Sequence, residues 1–146
     1  MSANITLSIG CDHAGYLLKD AIIQHYGNRF TFIDRGTSGP DSVDYPDYAH
    51  PVALDVEEGR ATFGILICGS ANGVCMTANK HAGIRAALCW KAEIAELARQ
   101  HNDANILCLP ARFMTTQEAF DCADVFLSTA FEGGRHQHRV NKIACQ

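Results

Sequence analysis

Five short apolar runs punctuate the chain: ITLSI (5–9), FTFID (30–34), GILIC (64–68), IRAAL (84–88) and NILCL (105–109). Runs of this length read as buried strands. Helical periods separate them, most clearly in KAEIAELARQH (91–101), where Ile94, Leu97, Ala98 and His101 recur at i, i+3, i+4 and i+7. Further helices are expected at about 14–26, 47–58, 71–81 and 116–129, with a last one from about 134 to 143. Pro51 falls inside the second of these, where a proline lacks the amide donor and clashes with the preceding turn, so a late start or a kink is expected there. Alternating strands and helices imply right-handed crossovers, a parallel five-stranded sheet and helices on both faces. The predicted fold is a three-layer, doubly wound, Rossmann-like α/β fold.

In such folds ligands bind beyond the carboxyl ends of the strands, near a topological switch point. The polar residues gather there. Strand one runs into GCDHAG (10–15), strand two into DRGTSG (34–39), strand three into CGSANG (68–73) and strand five into PAR (110–112). With strand order 2-1-3-4-5, the loops after strands one and three are neighbours, and Asp12, His13 and Cys68 face one another.

Composition narrows the chemistry. A chain of 146 residues, 47% hydrophobic and 19% charged, has the make-up of one globular domain spanning 1–146 without a visible repeat or linker. A net charge of -4 gives no basic footprint for nucleic acid or an anionic membrane, which favours a small ligand. The start, MSANITLSIG, lacks a charged n-region and a long apolar core, and no apolar run approaches the roughly 18 residues of a membrane span. A cytoplasmic protein is expected. Seven cysteines, an odd number with no C-x-x-C pair, argue against a disulfide framework or a zinc site. Cys89, Cys108 and Cys122 sit among apolar neighbours and read as buried filler.

Cys68 is different, because it stands where an apolar strand meets a turn of small residues. Gly69, Ser70, Ala71 and Gly73 permit a tight turn and close approach to a ligand, and the helix that follows offers unpaired amides and the positive end of its dipole. Neither nucleotide-loop pattern, G-x-G-x-x-G or G-x-x-x-x-G-K-[ST], occurs there, and Val74 stands where a low-molecular-weight tyrosine phosphatase loop needs arginine. A thiol just ahead of a helix N-terminus is a credible base or nucleophile. The plainer alternative is that Cys68 merely ends a buried strand.

Two other stretches carry candidate chemistry. His101 closes the apolar stripe of its helix in RQHNDAN (99–105), either as a packed cap or as a general acid favoured by the helix C-terminus. In EGGRHQHRVNK (132–142), Arg135 and Arg139 at i and i+4 can grip one phosphate, or form a solvated charged face. His136 and His138, two residues apart, diverge on a helix and make a poor metal pair. No metal and no cofactor are expected.

Together GCDHAG, DYPDYA (44–49), ILICGSANGVCMTANK, AGIRAAL, RQHNDAN and EGGRHQHRV follow one another in an order and spacing that resembles the ribose 5-phosphate isomerase B family, which also includes allose 6-phosphate and galactose 6-phosphate isomerases. The resemblance covers nearly the whole chain. It implies an aldose–ketose isomerase, acting on ribose 5-phosphate and ribulose 5-phosphate or on a hexose 6-phosphate, with a non-catalytic sugar-phosphate binding module as a further alternative. By resemblance, Cys68 carries a proton between C1 and C2, Ser70 is the neighbouring hydroxyl, His101 opens the furanose ring with Asp12 assisting, and Asn102 follows it. His13, Arg112, Arg135 and Arg139 would hold the phosphate, Tyr45 would line the sugar pocket, and Gly69 and Gly73 would shape the loop. One branch of the family uses a glutamate at the place of Val74, so here Cys68 remains as the base. Ala71 stands where relatives commonly have glycine, and Cys75 reads as structural. The resemblance also implies a homodimer with shared sites and a C-terminal helix reaching the partner subunit, a dimer of dimers remaining open.

Overall fold

The structure, a computed structural model, describes residues 4–145. The first three residues of MSANITLSIG and Gln146, the two ends of the expected 1–146 domain, lie outside the described residues. Five strands, β1 (Thr6–Cys11), β2 (Thr31–Asp34), β3 (Phe63–Cys68), β4 (Ala86–Leu88) and β5 (Ile106–Pro110), alternate with helices α1 (Tyr16–Tyr26), α2 (Pro46–Glu57), α3 (Asn72–Ala78) and α4 (Ala92–Asn102). A 3-10 turn at Ala111–Phe113 then leads to α5 (Thr116–Ser128) and α6 (Arg135–Val140). All strand pairs are parallel.

Period-2 alternation within each strand sorts side chains onto two cores. Ile65 and Ile67 of β3 and Leu107 and Leu109 of β5 face α1, α4 and α5, whereas Leu66, Cys68, Ile106 and Cys108 face α2 and α3. Burying each such aliphatic side chain contributes about 1.5–3 kcal/mol, which makes the sheet and its two covers one cooperative body. Cys89, Cys108 and Cys122 are fully buried, in keeping with their apolar neighbours. Burial pushes the Cys89 thiol up to about 12 and the Cys122 thiol up to about 11, and raises Cys108 well above the ordinary range. These sulfurs pack and stay protonated.

Two expectations need correction. The strand order is 2-1-3-5-4, not 2-1-3-4-5. Every residue of β5 is buried, as an inner strand of a sheet covered on both faces requires, while the three residues of β4 are only half-buried and take the edge. The swap leaves β1 and β3 adjacent, so the loops after them are still neighbours. The second correction concerns Pro51. The helix begins at Pro46, with that proline in the first turn where its missing donor costs nothing, and continues unbroken across Pro51. The start is not delayed, because Ala49, Val52 and Ala53 are all fully buried and their packing outweighs one lost backbone bond.

A buried charge locks α2 to this sheet. The Asp55 carboxylate is fully buried and accepts from Ser8 Oγ at 2.7 Å, Arg35 Nε at 2.8 Å and Nη2 at 2.6 Å, and Arg60 Nε at 2.8 Å. Burial alone would raise its pKa, but the hydrogen bonds from Arg35, Arg60 and Ser8 outweigh that and hold it well below the usual carboxylate range.

Candidate active site

At the carboxyl edge of the sheet, β1 and β3 end side by side, with Cys11 opposite Ile67. The Asp12 amide donates to Ile67 O at 3.2 Å, so Asp12 leaves its strand beside the start of the Cys68 loop. Its carboxylate is nearly buried and accepts from the Ala14 amide at 2.9 Å, which closes a local turn. His13 is half-buried, and its Nδ1 accepts from the Val43 amide at 3.2 Å, drawing the segment before α2 over the same edge.

The Cys68 thiol faces the α2 and α3 layer and is 5% exposed, so it stands at the rim of the core. Gly69 O accepts from the Arg112 amide at 3.0 Å, and the Arg112 side chain lies over Gly69 so closely that a Cβ there would come 3.1 Å from Nη1. Ser70 is exposed, and its Oγ accepts from Asn72 Nδ2 at 3.1 Å. Gly73 lies under the ring of Tyr45, and a Cβ at Gly73 would fall 2.5 Å from the ring's Cζ. Glycine is therefore required at 73 by the Tyr45 ring, whereas a side chain at 69 would push the end of the exposed Arg112 aside by a few tenths of an ångström. Ala71 adopts φ 65°, ψ -1°, the left-handed turn that glycine would take, and its methyl is fully buried. The tight turn forms with alanine in place, at a cost of about 1–2 kcal/mol. Thus Asp12, His13, Tyr45, Cys68, Gly69, Ser70, Gly73 and Arg112 converge at one edge.

His101 and Asn102 do not join them within the chain. A crossover helix runs antiparallel to its strands, so the end of α4 lies at the amino edge of the sheet. β5 starts at Ile106, opposite Gly64, whereas Cys68 lies opposite Pro110 at the other end. Four strand steps of about 3.3 Å already separate those edges by ~13 Å, and His101 precedes β5. There His101, Asn102, His136, Arg139, Val140 and Ile143 line an open hollow. Arg135 and Arg139 are both exposed on α6, while His136 is buried and His138 exposed, so the two histidines diverge as their spacing requires.

The hollow also holds a constellation that the sequence reading missed. The imidazoles of His101 and His136 stack at 4.3 Å with planes 10° apart. Glu132 Oε1 lies 3.4 Å from His136 Nε2 and 3.9 Å from His101 Nε2. Among the described residues His136 Nε2 has no hydrogen-bond partner, although it is buried. Burial, then the charge of His101 and Arg135, pushes the His136 pKa down, Glu132 opposing. The donor atoms of His101, Glu132 and His136 lie within 4.8 Å of one another, the spacing of a metal triad. Two near-parallel rings do not aim their lone pairs at one point, and two exposed arginines on the adjoining helix add positive charge that disfavours a cation there. The readable signal was Glu132 and His136 at i and i+4.

A family model described as Ribose/Galactose Isomerase matches residues 7–143. The ribose-5-phosphate isomerase B of Escherichia coli (strain K12) is 45% identical over 138 residues, covering 94% of this chain and 93% of that protein. The crystal structure of a ribose 5-phosphate isomerase from Thermotoga maritima superposes with a TM-score of 0.95 at 45% identity, covering 97% of this chain and 99% of that one. The Mycoplasma genitalium ribose-5-phosphate isomerase B, solved with bound ribulose-5-phosphate, gives a TM-score of 0.91 at 46% identity, covering 94% and 93%. A doubly wound sheet with a thiol at its switch point is thus the frame of a sugar-phosphate isomerase. The chain belongs to the ribose/galactose isomerase family.

Proposed function

We propose that the protein interconverts D-ribose 5-phosphate and D-ribulose 5-phosphate, without a metal, in a homodimer whose sites are shared. The observation that carries this reading is the division of the candidate groups: the base and its loop stand at one sheet edge, the imidazole and two arginines at the other. A second copy that docks its α6 hollow on the first copy's Cys68 loop unites them, and the isologous contact produces two such sites at once. Among the described residues no helix is long and apolar enough to cross a membrane, and we place this enzyme, one domain over 1–146, in the cytoplasm.

Ring opening comes first. The O1 proton passes to the Asp12 carboxylate as the C1–O1 double bond forms, the C1–O4 bond breaks, and O4 takes a proton from the imidazolium of His101 of the second copy. Asn102 orients the opened chain and Tyr45 lines its flank. His13 and Arg112, with Arg135 and Arg139 from the other copy, hold the phosphate, bidentate contacts that fix the sugar at one end. The Cys68 thiolate then removes the C2 proton. Negative charge develops on O1, where Ser70 and the amides from Gly69 to Gly73 can receive it without reorganising. A proton shifts from O2 to O1, and the thiol returns its proton to C1 to give the ketose. One base serves both carbons, which suits a group whose protonation is near balance at working pH.

A coupled assay tests the reading. Ribose 5-phosphate should be turned over with kcat/KM well above that for allose 6-phosphate. The reverse ranking would make the protein a hexose 6-phosphate isomerase, and binding of either sugar without exchange of its C2 proton into solvent would make it a binding module.

A further inference from the structure

The stacked imidazoles and Glu132 are not accounted for by phosphate binding or by the thiol. We infer that Glu132 is a positioning residue for ring opening, holding the His101 imidazole in place and keeping its proton ready for the sugar's ring oxygen. The inference rests on the isomerase reading and assigns a role that reading does not need.

Three observations support it. First, Glu132 is placed by the backbone, since its amide donates to Gln100 O at 3.0 Å, one residue before His101. The carboxylate therefore rides on the end of α4. Second, its Oε1 faces the Nε2 atoms of both rings, 3.9 Å from His101 and 3.4 Å from His136. Third, the α6 charges acting on His136 are cationic: Arg135 and Arg139 both push its imidazole toward the neutral form. Two stacked imidazoles 4.3 Å apart cannot both carry a charge without strong repulsion. One carboxylate can balance one imidazolium. Burial disfavours that charge on His136, whereas the His101 side chain is 39% exposed and within reach of a substrate. Without Glu132 the stack would lose the carboxylate that faces both Nε2 atoms.

The reaction offers a way to separate this role from the thiol's. Ribulose 5-phosphate carries its phosphate on the only hydroxyl that could close a five-membered ring, so it is an open chain. Exchange of its C1 proton with deuterated solvent needs the base and the enediolate but no ring opening. Glu132→Gln and Glu132→Asp would be compared with the parent enzyme by C1 exchange, followed by NMR, and by steady-state conversion of ribose 5-phosphate. For Glu132→Gln we expect kcat for ribose 5-phosphate to fall about tenfold or more, the scale of a disturbed acid–base group, with KM within twofold and C1 exchange within twofold of the parent. Glu132→Asp, which keeps the charge, should recover part of the lost kcat. Equal losses of conversion and exchange would make Glu132 a general structural prop and overturn the inference, as would no loss of either. A parent enzyme that shows neither conversion nor exchange would instead sink the isomerase reading itself.

Discussion

The two candidate half-sites are built in opposite ways. The Cys68 edge is made of backbone: strand ends, a left-handed turn and two glycines, each pinned by a partner such as Tyr45 or Arg112. The α6 hollow is made of side chains on helix ends, half-exposed, with the buried His136 Nε2 unsatisfied among the described residues. The first is finished by folding and the second is not. Groups that must receive developing charge work best when already oriented, whereas groups that take up and release a substrate need access. The difference also argues for two copies, because the unsatisfied half carries His101, Arg135 and Arg139, which the finished half lacks.

The sharpest way to test this division is to damage each half separately. Cys68→Ala should fold normally, since it trades one small rim side chain for another, and should lower isomerisation by at least about a hundredfold. His101→Asn should also be severely impaired. If the halves belong to different copies, co-refolding the two inactive variants should restore about a quarter of parent activity, from hybrids holding one intact site of two. No recovery in mixtures shown to contain hybrids would place both halves in one chain.

Next in size is the support beneath the rigid half. Asp55→Ala strands Ser8 and two arginines and should cost about 3 kcal/mol in urea unfolding, somewhat less if Arg35 and Arg60 turn to solvent. The pH dependence has a definite sign. Because the folded Asp55 pKa is depressed, its contribution is intact above the ordinary carboxylate value of about 4 and drains away as pH falls toward the folded value. The parent should therefore lose stability more steeply than Asp55→Ala between about pH 4 and pH 2. Parallel curves would mean the carboxylate is not held as described.

Damage to the open half should be read in binding. Arg139→Ala should raise KM for ribose 5-phosphate roughly tenfold, about 1.4 kcal/mol, with a smaller change in kcat. A kcat effect larger than the KM effect would move Arg139 from phosphate grip to chemistry. The smallest effect is expected at Ala71. Glycine there would relieve about 1–2 kcal/mol of left-handed strain but would lose a buried methyl and gain unfolded-state freedom, so stability should shift by less than about 0.5 kcal/mol. Activity should persist, and a large loss would show that the methyl itself shapes the thiol's surroundings.

The division also explains what could be read from the chain beforehand. The elements were legible because each strand and helix carries its own period, and the Cys68 edge was legible because its residues lie close in sequence to strand ends. The order of β4 and β5 was not, since two neighbouring apolar runs differ only in how completely the folded protein covers them. Pro51 misled because local propensity yields to the packing of Ala49, Val52 and Ala53. The Asp55 network joins residues 8, 35, 55 and 60, and no local pattern links them. Glu132 was overlooked because its neighbours' positive charge drew the reading toward phosphate, while its partner His101 lies 31 positions earlier.

Arg112 draped over the bare backbone of Gly69 has a thermodynamic consequence of its own. An arginine side chain carries about 2 kcal/mol of rotamer entropy that a free, waving cation must surrender when an anion arrives. Arg112 is exposed, so only the part of that freedom spent in lying over Gly69 is given up on folding, and an incoming anion would take the rest.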